Sequence, residues 1–390
     1  MSTIKVNRIE NTSTTDGGVS IDVDGHVTID GQQLPTAGAL SNRNLIINGA
    51  MEVAQRSSAE LNAVQSTGGL KYQTLDRWGY WSNNNNLFSS NQVEDAPPGF
   101  YHSVQLKSLG NNNMGSGGYN TWSQRIEAQN LYHTGIGTAN AKDLILSFWV
   151  KASTAGTYSF YCFNSPFTYC FTSTYTVQAD DTWEYKTITI PGPTSNFSET
   201  GNSRQIEIGF TLGAGTTYST STLNQWQAGN YLIGATGAIN LVETIDETLN
   251  ITGVQLEVGS KATPFEHRSF HDEQLRCMRY CQKFGETFTT LDGNAVSSDD
   301  GFVTLANYVA STAYGGQKFI VPMRTRPTLA AAGCAYYSGG TTDSSVDVAL
   351  VGASTTYGEL RVSGFSMTQG NAGWLRIEAA GAYIEFNAEL

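Results

Sequence analysis

Charge is scarce in this sequence. Only 14% of its 390 residues are Asp, Glu, Lys or Arg, against about 25% in an average globular chain. Long solvated helices draw on Lys and Glu, so the shortage turns the expectation toward strands and turns. Positive charge is scarcer still: 22 Lys and Arg against 34 Asp and Glu leave a net charge of −12. Nucleic-acid affinity rests on Lys and Arg neutralising phosphates, so no nucleic-acid partner is expected. No apolar run reaches the 18 or more residues of a membrane span, and the opening MSTIKVNRIENTS lacks the apolar core of a signal peptide. A soluble protein made in a cytoplasm, without membrane insertion, is the expectation.

Cysteine and catalytic motifs are equally thin. Five cysteines, an odd number, do not make a disulfide framework, and most are expected to be reduced and buried. Cys162 and Cys170 flank a short turn, which leaves a cross-strand disulfide as the alternative. Cys277 and Cys281 share a helical face, but no second Cys or His pair accompanies them, so core packing is favoured over a metal site. GxSxG, GxxxxGK[ST], strand-linked GxGxxG, HExxH and CxxC are all missing. The five histidines are scattered. No cofactor and no metal are expected. A glycosidase would need two carboxyl groups at a set separation, for which Glu127, Asp180, Asp181 and Glu184 are nominal candidates, with surface carboxylates the blander reading.

What the sequence does hold is Gly, Ser, Thr, Asn and aromatic residues, among them 19 Tyr, 17 Phe and 7 Trp. Thr and Tyr fit a pleated, half-buried surface, whereas Gly and Asn suit the φ > 0 positions of tight turns. Single cores stop growing near roughly 250 to 300 residues, so two or three domains are expected.

Residues 1–40 carry two short alternating runs with Asp-Gly turns and then a linker around Pro35. In VSIDVDGHVTIDG the residues Val19, Ile21, Val23, Val27 and Ile29 share one face of a ribbon too small to stand alone in water. From 41 to 268 strand signals recur with turn punctuation, as in a jelly-roll β-sandwich. The clearest are LILSFWVK (Leu144 to Lys151), TYSFYCF (Thr157 to Phe163), WEYKTITI (Trp183 to Ile190), QIEIGFTL (Gln205 to Leu212) and ITGVQLEV (Ile251 to Val258). In the last, Gly253 marks a bulge and Gln255 and Glu257 are read as facing water. Ser269 and Asp272 open a connecting helix over 269–285, closed at Gly285, with the stripe Cys277, Tyr280, Cys281 and Phe284. Residues 286–390, about 105 residues, suffice for a second sandwich. The fold expected is therefore all-β: an N-terminal β-ribbon, a central jelly roll, a short connecting α-helix and a C-terminal β-sandwich.

Aromatics are the one enriched binding chemistry. Trp149 and Trp183 are assigned to the core, while Trp78, Tyr80, Trp81 and Trp122 divide between core and a face on which sugars stack.

The stretch NLIINGAMEVAQRSS (Asn44 to Ser58) resembles the opening of structural and tail-fibre proteins of tailed bacteriophages, those of marine and cyanophage type especially. DRWGYW (Asp76 to Trp81), WSQRIEAQNL (Trp122 to Leu131), LSFWVKASTAGTYSF (Leu146 to Phe160), DTWEYKTITIPG (Asp181 to Gly192) and ITGVQLEVGSKATPFEHRSFHDEQLRCMRYCQK (Ile251 to Lys283) match that pattern in order. PMRTRPTL (Pro322 to Leu329) and YIEFNAEL (Tyr383 to Leu390) resemble fibre tail ends. The central module also resembles a carbohydrate-binding jelly roll through NLIINGAM, FWVKA and TWEYKTITI.

The resemblance implies a non-enzymatic virion component, assembled in the host cytoplasm, that mediates host attachment as a homotrimer. Its N-terminus would dock on tail adaptor or nozzle proteins, and its C-terminal sandwich would be the tip that meets a host-surface glycan or protein. Sister copies would cover Val19, Ile21 and Val23 of the ribbon and Cys277, Tyr280, Cys281 and Phe284 of the helix. Two other classes stay open: a polysaccharide depolymerase, and a purely structural tail or head decoration protein.

Overall fold

The computed structural model describes residues 8–10, 18–21, 27–29, 32–33, 42–63, 66, 69–83, 87–110, 114–285, 301–344, 346–377 and 382–390. It divides into two compact units, one of Met1–Glu52 with Ser58–Arg268 and one of Val53–Ser57 with Ser269–Leu390.

Four short strands open the first unit: β1 (Arg8–Glu10), β2 (Gly18–Ile21), β3 (Val27–Ile29) and β4 (Gln32–Gln33), an antiparallel meander in that order. Val19 pairs with Ile29 and Ile21 with Val27. Ile21 is 45% exposed, and Val23 lies outside the described residues.

Two six-stranded sheets follow. The first is ordered β13 (Glu184–Ile190), β10 (Leu144–Ala152), β18 (Thr248–Val258), β8 (Ser103–Ser108), β7 (Phe88–Val93) and β5 (Leu61–Asn62). The second is ordered β16 (Trp226–Ala228), β12 (Tyr169–Val177), β11 (Gly156–Asn164), β14 (Arg204–Ala214), β9 (Tyr119–Glu127) and β6 (Gly79–Ser82). A parallel pair, β15 (Ser219–Thr220) and β17 (Gly234–Ala235), braces the loop between β14 and β18. Because side chains alternate along a strand, Leu146, Phe148 and Val150 of β10 share the buried inner face, where Phe148 meets Tyr175 and Phe210 of the opposite sheet. Phe148 lies 5.0 Å from Phe210 and 5.1 Å from Tyr175, edge to face. The all-β sandwich expected from the sequence is thus the fold of this unit.

Several details differ from expectation. Trp149 and Trp183 are only half-buried, because they fall outside the inner face of the first sheet: Trp149 leans on Tyr185 at 5.4 Å and Trp183 Nε1 donates to Asp95 at 3.1 Å. Gln255 and Glu257 are 0% and 2% exposed rather than wet. Thr263, at the turn after β18, folds back to donate its amide and hydroxyl to Glu257, and Arg43 adds its guanidinium at 3.5 Å. Gly253 does sit at a register shift, with φ 62°, and a Cβ there would meet Phe100 at 2.7 Å.

The segment NLIINGAM is a strap. Asn44 Oδ1 accepts from the Ile46 and Leu256 amides, its Nδ2 donates to Val254, and Gln124 holds both backbone groups of Ile47.

In the second unit, α1 (Phe270–Met278) starts at Ser269, whose Oγ accepts from the Asp272 amide. It is shorter than expected. Backbone pairing with a distant strand overrides the helical stripe, so Cys281 and Phe284 lie on β19 (Cys281–Gly285), which pairs with β28 (Tyr383–Asn387) and, through it, with β22 (Thr328–Ala332). Cys277, Tyr280 and Cys281 are 0%, 1% and 0% exposed, and Phe284 packs against the unit's own core. Cys277, Tyr280 and Cys281 are thus covered within the chain itself, while Phe284 is half-buried.

A seven-stranded sheet completes this unit, in the order β24 (Thr341–Asp343), β23 (Cys334–Ser338), β27 (Ala372–Ile377), β20 (Gly301–Val309), β21 (Thr312–Lys318), β26 (Tyr357–Ser363) and β25 (Asp347–Ala353). Its inner face meets the three-stranded sheet over Leu305, Tyr336, Leu360, Leu375, Ile384 and Phe386.

Candidate functional site

Of the four rings proposed to meet sugars, three are core. Trp78 and Trp122 are each 1% exposed and stack at 4.2 Å with planes 4° apart; Tyr80 is 2% exposed and meets Phe88 edge to face. The cause is register: Tyr80 pairs with Trp122 across β6 and β9, and both point inward. Trp78 gives its indole N–H to the Asn48 carbonyl. Trp81, one residue on, points to the other face and is partly exposed.

That outer face of the second sheet is where polar and aromatic groups converge. β14 is buried along both faces, with Ile206, Ile208, Phe210 and Leu212 inward and Glu207, Gly209 and Thr211 outward. Glu207, 0% exposed, accepts from Arg125 Nε at 2.8 Å, Ser123 Oγ at 3.1 Å and the Tyr161 hydroxyl at 3.1 Å. Gly209 makes room for this network, because a Cβ there would come within 2.4 Å of the Tyr161 ring. Burial works most strongly on the Arg125 cation and against it, but the charge and hydrogen bond of Glu207, together with Tyr72 and Tyr161, outweigh it and hold the guanidinium's pKa above its ordinary value. Tyr161 is pushed well above the usual phenol range, first by burial and then by Glu207.

Above this floor stands a box of rings. Trp81, Tyr119, Tyr218 and Tyr231 surround a pocket of about 140 Å³, completed by Thr121 and Ile233. Neighbouring planes are steeply inclined: Trp81 to Tyr119 is 6.2 Å and 65°, Tyr119 to Tyr218 is 5.3 Å and 88°, Tyr218 to Tyr231 is 6.4 Å and 89°, and Tyr231 to Trp81 is 5.3 Å and 62°. Phe167 backs the box, stacked on Tyr231 at 4.8 Å, with the Arg204 guanidinium 3.8 Å from its ring centroid. Burial, and then the like charge of Arg125, pull Arg204 down to about 10, against a smaller opposing pull from Glu207. Phe167 (φ 62°) and Tyr231 (φ 55°) hold left-handed backbone, which costs bulky residues about 1–3 kcal/mol each and collects at binding sites.

Sequence reasoning reached Trp81 and missed Tyr119, Phe167, Tyr218 and Tyr231. Phe167, Tyr218 and Tyr231 come from loops flanked by Gly, Asn, Ser and Thr, in NSPFT, GTTYST and AGNYLIG. An aromatic residue at a loop tip without a strand period was the available signal.

The nominal carboxylates do not gather. Glu127 is 0% exposed and accepts from Gln129, whereas Asp180 and Asp181 occupy the turn between β12 and β13 and Glu184 begins β13. Glu184 there accepts the Gln178 and Ala179 amides. Among the described residues no group of three or more His, Cys, Asp or Glu could hold a metal. Cys162 and Cys170 are free, since Cys162 pairs with Phe171 and Cys170 with Phe163, one position out of step. In the second unit, Trp374 is 46% exposed and stacks on Tyr337 at 5.7 Å and 15°, with Arg376 4.4 Å over Tyr337.

No family model and no curated protein matches the chain. Among solved structures, similarity at TM-score 0.31 and 13% identity is found to the enzymatically active domain of tailspike protein 4 of bacteriophage CBA120, covering 55% of this chain and 21% of that one. A protein from Bacteroides thetaiotaomicron to which sugar binding is ascribed gives the same score and identity over 56% of this chain and 100% of its own. A family 11 carbohydrate-binding module from Clostridium thermocellum, in complex with a mixed-linked tetrasaccharide, gives 0.26 and 15% over 53% and 98%.

Proposed function

We propose that the chain is a non-enzymatic attachment protein of a bacteriophage virion, a tail fibre that holds a host-surface glycan on the outer face of its second sheet. The box of Trp81, Tyr119, Tyr218 and Tyr231 over the Arg125–Glu207 pair carries this reading. Pyranose rings offer C–H faces that stack on aromatic planes, and their hydroxyls suit the fixed polar groups at the edge. Phe167, Arg204 and the strained loops around Tyr231 fix the rings in place, so little ordering is left to be done on binding.

Attachment rather than hydrolysis is favoured by the carboxylates. Cleavage of a glycosidic bond takes two of them flanking the sugar, and here Glu207 is fully buried and held by three donors, while Glu127, at the end of β9, is also fully buried and accepts from Gln129. The ordered resemblance over Asn44 to Lys283 supports the virion setting. In this reading the small N-terminal meander docks on tail proteins, three chains assemble, and the Trp374–Tyr337–Arg376 platform of the second unit adds a contact surface for the host.

Arrays of bacterial surface glycans probed with the whole chain test the reading. Retention of a defined set, lost in Trp81→Ala without loss of folding, is expected. No retention of any glycan, or release of reducing ends from a retained polysaccharide, would overturn attachment by binding. Light scattering should give a trimer, and a stable monomer at micromolar concentration would remove that part.

A further inference from the structure

We infer that the ring box recognises an acetamido substituent, so that the glycan held there contains an N-acetylated amino sugar. This rests on the glycan reading of the same face and sharpens it.

Size comes first. A pocket of about 140 Å³ is small. Sites that swallow a drug-sized ligand run to about 300–1,000 Å³. A pyranose with its hydroxyls is too large to enter, so the sugar ring lies at the mouth and a substituent goes in. An acetamido group matches the space.

Chemistry narrows the choice further. Four aromatic residues and Ile233 line the walls, mainly apolar surroundings that favour a methyl group over a hydroxyl, which would lose its water there. The remaining wall residue, Thr121, is 1% exposed, and its hydroxyl makes no full hydrogen bond among the described residues. It stands beside the Tyr161 phenol, whose oxygen it helps to stabilise and whose proton goes to Glu207. Its lone pairs are left for a ligand donor, and an underused buried hydroxyl is a cost that a ligand removes by bonding to it. An acetamido group offers an N–H to those lone pairs while its methyl meets the rings.

Aromatic boxes also hold quaternary ammonium ions, but charge argues against one here. The Arg125 guanidinium lies 5.6 Å from the Trp81 ring and Arg204 stands 3.8 Å over Phe167. The carboxylate facing them, Glu207, is already paired with Arg125. The face therefore carries an excess of positive charge, which repels a cation and leaves an uncharged amide unaffected.

The test is calorimetric titration of the whole chain with matched oligosaccharides that differ at carbon 2. Oligomers of N-acetylglucosamine, N-acetylgalactosamine and N-acetylmannosamine are compared with those of glucose, galactose and mannose, with the free-amine forms, and with choline. The acetamido member of at least one pair should bind about tenfold or more tighter than both its hydroxyl and its amine counterpart, since a site that bonds a polar substituent rejects the analogue lacking it. Saturation-transfer NMR should put the strongest signal on the acetyl methyl. Thr121→Val should weaken the acetamido member of a pair more than its hydroxyl counterpart and so erase most of the preference. Equal affinity across every pair, or tightest binding of an amine or of choline, would overturn the acetamido assignment and leave glycan binding standing. Absence of binding to every oligosaccharide would remove both.

Discussion

Replacing Glu207 by Gln tests whether the outer face of the second sheet is a preorganised, dry floor. Glu207 is fully buried and takes one charged and two neutral hydrogen bonds, from Arg125, Ser123 and Tyr161. Glutamine has nearly the same shape. Its oxygen can take the place of Oε2 and accept from Arg125, and its amide can face the two hydroxyls, which rotate to accept. Geometry therefore survives and the charge does not. The Arg125 guanidinium, its side chain 9% exposed, is left uncompensated beside Arg204. Removing one partner of a buried ion pair costs about 3–5 kcal/mol, and the retained hydrogen bonds place Glu207→Gln near the lower end, about 3 kcal/mol. Removing both charges in Arg125→Met with Glu207→Leu should cost less than the sum of the single changes. An apolar replacement of a buried pair is often neutral, although the Ser123 and Tyr161 hydroxyls then lose their acceptor, about 1–3 kcal/mol each if no new partner is found. Urea titrations of the four proteins, followed by near-ultraviolet circular dichroism, give the coupling energy. A loss under about 1 kcal/mol for Glu207→Gln, or a double variant that equals the sum, would mean that the pair is solvated and the floor soft.

Three further outcomes are expected. Trp78→Ala should destabilise by about 3–5 kcal/mol as a core truncation, whereas Trp81→Ala should leave the fold within about 1 kcal/mol and abolish glycan retention; equal destabilisation by the two on thermal melting would contradict the assignment of faces. The five free, buried thiols should resist a thiol reagent at pH 8 in the native chain and react on unfolding. Burial pushes Cys170 and Cys334 up to about 11 from 9.0, so the stability they contribute is whole below pH 9 and lost as pH rises toward 11; a melting temperature flat to pH 11 would contradict this. Glu266 is destabilised by burial but lowered overall by the Asn44 amide, Arg268 and the Arg43 amide. Its contribution is present above pH 4.5 and should fade as pH falls below that value, and Glu266→Gln should flatten this acid limb of the melting curve.

How far the sequence was legible depends on which force decided each residue. The strands at Leu144–Ala152, Gly156–Asn164 and Arg204–Ala214 were visible because their β-branched and aromatic runs are bounded by turn residues. The length of α1 was not, since the stripe from Cys277 to Phe284 reads equally as helix until pairing of Cys281–Gly285 with Tyr383–Asn387 takes its second half. Trp78, Tyr80 and Trp122 could not be told from Trp81 by composition, because a shift of one residue moves a side chain to the opposite face. Gln255 and Glu257 alternate as a wet face should, and the turn that covers them comes from Thr263, beyond any local pattern. The box itself was hidden for the same reason: Tyr218 and Tyr231 belong to a loop whose course over the sheet depends on the β15–β17 pairing.

A crystal structure of the whole chain grown with an oligosaccharide selected from a glycan array tests the central claim most directly. Sugar density lying on Trp81, Tyr119, Tyr218 and Tyr231, with a substituent between the rings, is the predicted result. Density on some other surface, with the box unchanged and empty, would contradict it.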